Sequence, residues 1–263
     1  MSIKCSDIAF VVLSCDKYSD LWEPYIDLFN RYWSDCPFDK YLVSNIKTLT
    51  TSSFHIINSG VDECWSSGLL KVLSILENRY EYIFITLEDL FILKKVDNNQ
   101  ILRLMDSFEN HNGNYLRLYT KGRYPDRIID DHMGELLKSN PYRINCVYSI
   151  WRISILKGLL KTDENAWEFE KKGVLRSCNL NGFFISNGNI FNISNTIVKG
   201  KWVPYEYHKI KKELPNIIIQ RPMLSFQETV KLWLSEIVFN SIMKIRILWL
   251  KRYIFFMIRK VSC

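Results

Sequence analysis

The sequence predicts an α/β protein with one mostly parallel central sheet, followed by a basic amphipathic helical tail. Three observations carry this. Ile8–Leu13 (IAFVVL) and Tyr82–Leu87 (YIFITL) are unbroken apolar runs rich in β-branched and aromatic residues, the pattern of strands buried on both faces. Over residues 8–119 such runs alternate with stretches of helical periodicity, as in successive β-α-β units. The 263 residues are 48% hydrophobic and 24% charged, which suits one large core and not a disordered chain.

The elements follow in order. Ile8–Leu13 ends in the polar turn Ser14-Cys15-Asp16-Lys17. Ser19 or Asp20 can cap a helix through Trp22, Tyr25, Ile26, Phe29 and Trp33, spaced i, i+3, i+4, i+7. Pro37 stops it, Tyr41, Leu42 and Val43 read as a second strand, and 54–57 as a third. Trp65–Leu76 is a helix with Leu69, Leu70, Val72, Leu73 and Leu76 on its apolar side. Tyr82–Leu87 runs straight into Glu88-Asp89. Residues 98–108 read as a helix and 115–119 as a strand. Residues 120–141, with Gly122, Pro125 and Asp130-Asp131, read as a loop region. A short apolar run at 147–152 precedes a helix at 153–160. Thr162 can cap a further helix over 163–171, and strand-like pieces recur at 183–185, 190–193 and 196–198. The composition shifts after Pro222, which sets the expected boundary between a domain at 1–222 and a tail at 223–263.

The charge is uneven. Lys and Arg number 35 against 28 Asp and Glu, a net +7. Residues 241–263 hold Lys244, Arg246, Lys251, Arg252, Arg259 and Lys260 and no acid, so the first 240 residues carry only +1. A basic body that coats nucleic acid is thereby disfavoured. On a helix, Lys244, Lys251, Arg252 and Arg259 fall within an arc of roughly 100°, and apolar side chains cover most of the rest. That arrangement suits the surface of an anionic membrane; a last helix packed on the core with its charges in water would share it. The seven cysteines form no C-x-x-C pair, which predicts reduced thiols in a cytosolic compartment. The N-terminus lacks a secretory pattern, and no apolar run reaches about 18 residues, so no transmembrane helix is expected.

Four short segments could carry chemistry. Glu88-Asp89 follows a buried strand, where α/β sheets bind ligands, and two carboxylates there can hold a divalent cation that in turn holds phosphates. An ordinary acidic turn has the same sequence. Ser14-Cys15-Asp16-Lys17-Tyr18 follows the first strand and could hydrogen-bond a base or ribose. In 163–170 (DENAWEFE) Glu164 and Glu168 share a helix face beside Trp167. A carboxylate there could act as general base toward a hydroxyl, with the Trp as an acceptor platform. Acids at a helix start also need no function beyond the helix dipole. Lys199-Gly200-Lys201 can approach a diphosphate closely, or be a plain basic turn. No G-x-G-x-x-G, Walker loop, H-E-x-x-H or G-x-S-x-G is present, which disfavours Rossmann dehydrogenases, P-loop enzymes, zinc proteases and α/β-hydrolases.

Together these segments resemble a family of bacterial glycosyltransferases found in surface-polysaccharide (O-antigen and capsule) gene clusters. The resemblance rests on residues 12–22 (VLSCDKYSDLW), Trp65-Ser66, 87–91 (LEDLF), Ile150-Trp151-Arg152, 164–170 (ENAWEFE) and 199–202 (KGKW). It implies a GT-A-like fold, with a nucleotide-binding half at about 1–120 and an acceptor half at about 121–222. Carried over by position, it implies that Ser14, Cys15, Asp16 and Tyr18 line a nucleotide pocket closed by Trp65 and Ser66. Glu88-Asp89 would stand in for the D-x-D motif, with Asp89 nearest a Mg²⁺ or Mn²⁺ ion. Arg152, Lys199 and Lys201 could hold the diphosphate of the donor instead of a metal. Glu164 would be the base of an inverting transfer, and Trp167 and Glu168 would meet the acceptor. The implied partners are a nucleotide-sugar donor, an undecaprenyl-diphosphate-linked glycan acceptor and an anionic membrane reached through 223–263, with no nucleic acid. The implied location is the inner face of the cytoplasmic membrane. Two other classes use the same residues: a metal-dependent nuclease built on Glu88-Asp89, and a non-enzymatic membrane scaffold.

Overall fold

The computed structural model describes residues 3–61, 64–218 and 220–244. The chain forms two compact units, Met1–Thr120 with Pro125–Asn195, and Lys121–Tyr124 with Thr196–Cys263. The main division thus falls at 195/196, with Lys121–Tyr124 joining the second unit.

The first unit contains β1 (Ile8–Leu13), α1 (Trp22–Trp33), β2 (Asp39–Ser44), β3 (His55–Asn58), α2 (Trp65–Leu76), β4 (Tyr82–Leu87), β5 (Leu90–Ile92), α3 (Asn98–Asn110), β6 (Tyr115–Arg117), β7 (Arg127–Ile128), β8 (Met133–Glu135), β9 (Ser149–Arg152), α4 (Ile153–Leu159), α5 (Ala166–Arg176), β10 (Phe183–Ser186) and β11 (Ile193–Asn195). Nine strands form one sheet in the order β3-β2-β1-β4-β9-β6-β10-β8-β7. Only β9 and β8 run against the other seven. This is the α/β architecture with a mostly parallel central sheet that the sequence predicts. β5 pairs separately with β11.

All six residues of β1 are buried, because the alternation of side chains sends each to one of two covered faces. On one face Ala9, Val11, Leu13, Ile83 and Ile85 join Leu69, Val72, Leu73 and Leu76 of α2. On the other, the Phe10 ring lies 5.3 Å from Phe29, 5.3 Å from Trp33 and 5.0 Å from Phe84. Each such side chain contributes about 1.5–3 kcal/mol by leaving water, so the two faces fix the register of β1.

The topology locates a crevice. The chain moves from β1 outward to β2 and β3, then returns to place β4 on the other side of β1. The connections therefore diverge at the carboxyl ends of β1 and β4, the switch point where open α/β sheets bind ligands.

Three local expectations shift. α1 is capped by no side chain; a 3₁₀ turn, Asp16–Leu21, leads into it. Ser19 Oγ instead accepts from Lys47 Nζ at 2.8 Å. α5 begins at Ala166 and not at 163, capped by Asn165. The polar stretch at 120–141 holds β7 and β8, tied down by acids: Asp126 Oδ2 accepts from Leu137 N (2.9 Å) and Asn140 Nδ2 (2.7 Å). The strands there are only two and three residues long, too short for period-two patterning to reveal them.

The second unit contains β12 (Ile197–Val198), β13 (Lys201–Trp202), α6 (Pro204–Glu213) and α7 (Phe226–Lys244). Buried Trp202 anchors it, with its ring 5.4 Å from Tyr207. α7 covers part of the expected tail; residues 245–263, with most of its basic side chains, lie outside the described residues.

Candidate functional site

A cavity of about 290 Å³ opens at the switch point. The end of β1 and the turn after it supply Leu13, Ser14, Cys15 and Tyr18. Val43 and Asn45 come from the end of β2, and Ser59 follows β3. The start of α2 supplies Cys64, Trp65, Gly68 and Leu69. Leu87, Glu88 and Asp89 come from the end of β4, and Ala166 from the start of α5. Six residues named from sequence, in three distant segments, thus meet in one place: Ser14, Cys15, Tyr18, Trp65, Glu88 and Asp89. Among the described residues lining the cavity, Glu88 and Asp89 are the only acids. A second cavity of about 300 Å³ lies among the residues that begin β2 and β3, at the end of the sheet where α/β folds do not place their ligands.

The walls are held by specific bonds. Asp16 is not in the lining; it pins two loops together. Its carboxylate accepts from the backbone N–H groups of Asn45 (3.0 Å), Ile46 (3.2 Å) and Lys47 (3.1 Å), while its own N–H donates to Asn45 Oδ1 at 3.0 Å. This holds the turn after β1 against the loop after β2. Trp22 Nε1 donates to Ser14 Oγ at 2.7 Å and fixes that hydroxyl. Glu88-Asp89 forms a two-residue turn between β4 and β5, and Glu88 is buried. Behind it, Tyr148 Oη donates to Leu90 O at 3.0 Å. Burial pushes the Tyr25 and Tyr148 phenols up, so both remain neutral.

The third wall depends on Glu164, in an unexpected way. Its backbone carbonyl accepts from Ser66 N (3.2 Å), Ser66 Oγ (2.5 Å) and Cys64 Sγ (3.0 Å). The Ser66 N–H is one of the donors that the first turn of α2 leaves without an intrahelical partner. Ser66 is therefore fully buried behind Trp65 and not part of the lining. Glu164 is 2% exposed. It receives Arg176 Nη1 at 2.8 Å and Nη2 at 2.6 Å, with Lys172 Nζ at 3.7 Å. Hydrogen bonding to Arg176 holds this carboxyl below its usual range. A general base must reach its substrate; here the Glu164 carboxylate is buried against Arg176 and is not among the residues lining the cavity, so its geometry is that of a strut.

Its neighbours are also otherwise engaged. Glu168 completes the capping box of α5, taking Asn165 N at 3.1 Å while its own N–H donates to Asn165 Oδ1 at 3.0 Å. Trp167, beside the lining residue Ala166, is 77% exposed, an open ring suited to stacking.

Arg152 is not brought to the cavity. It pairs with Tyr82, the first residue of β4, while Glu88 follows the last. Six strand residues separate these ends by about 17 Å. The cause is the reversed direction of β9, which sends Arg152 to Glu81, Tyr82 and Asn114. Lys199 and Lys201 belong to the second unit. Lys199 (φ 52°) and Gly200 (φ 74°) make the two-residue turn between β12 and β13, a geometry with positive φ at both positions. Lys201 Nζ pairs with Glu228 at 2.7 Å, and that contact draws the Glu228 carboxyl down to about 2.

Asn45, Ser59, Cys64, Gly68 and Ala166 were missed. Asn45 and Ser59 were within reach of the strand-end rule that selected Glu88-Asp89, applied to β2 and β3. Among the described residues no three His, Cys, Asp or Glu side chains gather to hold a metal. The Glu88-Asp89 oxygens nevertheless have the hard-donor character of Mg²⁺ and Mn²⁺ ligands, and a diphosphate would supply the remaining oxygens.

No known family model and no curated protein matches the chain. Among solved structures it is similar to S. aureus TarS 1–349 in complex with UDP, at 14% identity over 81% of this chain and 67% of that one, with a TM-score of 0.49. It is similar to S. aureus TarS 1–349 at 13% identity over 91% and 73% of the two chains, with a TM-score of 0.46. It is also similar to the mannosyltransferase PcManGT from Pyrobaculum calidifontis in complex with GDP-Man and Mn²⁺. Identity there is 10% over 82% and 66% of the two chains, and the TM-score is 0.48.

Proposed function

We propose that the chain is a glycosyltransferase and that the cavity at the switch point receives its nucleotide-sugar donor. The observation that carries this reading is the convergence of Ser14, Cys15, Tyr18, Trp65, Glu88 and Asp89 on one strand-end cavity, from segments that resemble the glycosyltransferase pattern one by one. Tyr18, Asn45 and Trp65 offer ring and amide surfaces for a base and ribose. Glu88 and Asp89 would hold a Mg²⁺ or Mn²⁺ ion against the diphosphate. Such an ion, when bound, neutralises charge on the departing diphosphate. The chain's own part is to orient the donor on rigid strand ends and to present Trp167 as a platform for the acceptor sugar.

The finer reading follows the resemblance. The acceptor is an undecaprenyl-diphosphate-linked glycan of O-antigen or capsule synthesis, and the protein works at the inner face of the cytoplasmic membrane. The basic sequence after residue 241 supports the membrane part. Among the described residues no helix is long and apolar enough to cross a membrane.

The test is binding and turnover by the full chain. UDP, GDP and other nucleoside diphosphates are titrated calorimetrically with and without Mn²⁺, and release of nucleoside diphosphate is then followed from a panel of nucleotide sugars. Binding that is lost on filling the cavity with Gly68→Trp supports the proposal. Absence of binding for every nucleotide contradicts it.

A further inference from the structure

α7 is oriented against the usual rule for a surface helix. Its two acids turn toward its own unit: Glu228 pairs with Lys201 at 2.7 Å and Glu236 accepts from Tyr205 Oη at 3.3 Å. Its large apolar side chains turn outward. Phe226 is 84% exposed, Trp233 55%, Leu234 50%, Ile237 42% and Val238 52%. With Val230 they follow the spacing i, i+4, i+7, i+8, i+11, i+12, so they share one side of the helix. Ser225 and Glu228 form a reciprocal cap at its start, at 2.8 and 3.3 Å.

A contiguous apolar stripe in water is costly and marks a contact surface. Charge selects the occupant. The outward side presents no acid, because both acids of the helix are paired inward. The chain then continues from residue 244 to 260 with six Lys and Arg and no Asp or Glu. Apolar and aromatic side chains followed by unopposed cations match an anionic lipid surface, where Trp favours the headgroup level and cations are attracted to the anionic headgroups.

We propose that the outward face of α7, centred on Trp233, Leu234, Ile237 and Val238, inserts into the headgroup region of an anionic bilayer and lies along it. The Lys201–Glu228 and Tyr205–Glu236 contacts set the roll of the helix, and so decide which side meets the lipid. This inference stands on α7 alone and not on the donor cavity.

The test uses the full chain in flotation with vesicles of phosphatidylcholine, alone or mixed with phosphatidylglycerol. A W233E/I237E variant and a W233F variant are compared with the unaltered chain, with folding checked by circular dichroism and nucleotide binding measured in parallel. The expected result is binding to the mixed vesicles only, weakened at least about tenfold by W233E/I237E. Quenching of Trp fluorescence by lipids brominated near the headgroup should fall in W233F while flotation persists. Unchanged flotation of W233E/I237E would overturn the proposal. So would a solution dimer that dissociates in W233E/I237E and floats with neither vesicle, since the occupant would then be a second copy. Loss of nucleotide binding in the unaltered chain would count against the donor cavity and leave this inference standing.

Discussion

Glu164 and Arg176 form a two-pronged ion pair, Oε1 to Nη1 at 2.8 Å and Oε2 to Nη2 at 2.6 Å, and the same Glu164 caps the first turn of α2 through its carbonyl. One residue thus joins the loop before α5 to the helix that presents Cys64 and Trp65. The side chain fixes the loop, and the backbone fixes the wall.

Glu164→Gln should therefore cost stability more than chemistry. It leaves the guanidinium of Arg176, itself about a quarter exposed, without its charge partner, and unfolding in urea should register a loss of about 1–3 kcal/mol. The pH dependence has a definite sign. The folded carboxyl is held below its usual range, so its contribution is fully present above about pH 5 and fades as pH falls below about 4.3. The variant should lack that acid-side slope. In turnover, the substitution should raise KM for the nucleotide sugar and leave the pH profile of kcat unchanged. A folded variant with kcat lowered about a thousandfold would restore Glu164 to the role of base.

Asp89→Asn keeps the shape of the strand-end turn and removes a charge. Turnover should fall by about two to three orders of magnitude, as for other groups that stabilise developing charge, while the thermal midpoint changes little. Turnover near the original level would remove Asp89 from the account.

Asp16→Ala should loosen the cavity without touching its lining. Three backbone N–H groups lose a charged acceptor, a loss of about 1–2 kcal/mol for this partly exposed site. Nucleotide affinity should fall with it, and hydrogen exchange at Asn45, Ile46 and Lys47 should quicken. Exchange that stays slow would contradict the pinning role.

Arg152→Ala should leave nucleotide affinity unchanged. Its ion pair with Glu81 is partly exposed, with side chains 30% and 54% accessible, so stability should drop by no more than about 1 kcal/mol. Weakened nucleotide binding in calorimetry would show that Arg152 acts on the donor after all.

What the sequence revealed is what short range determines. The apolar runs of β1 and β4 and the periodicity of α2 are local, and each strand was followed by the polar residues that reach the cavity. What stayed hidden depends on pairing at a distance. Arg152 follows an apolar run like any other, and only the reversed direction of β9 carries it to the amino end of β4. Glu164 stands at the head of an acidic helix start, and nothing in that segment names Arg176 as its partner. Asp16 looked like a ligand because it follows β1, yet the loop after β2 takes its carboxylate. Lys199 is a basic residue next to glycine, and its positive φ appears only once β12 and β13 pair.

The switch-point cavity should bind the nucleotide of a sugar donor. Calorimetric titration of the full chain with a panel of nucleoside diphosphates, in Mn²⁺ and repeated on the Gly68→Trp variant, tests it most directly. Saturable binding of at least one nucleoside diphosphate is expected at one site per chain, abolished by the indole that fills the cavity. Absence of binding by every nucleotide, or binding that Gly68→Trp leaves intact, would contradict it.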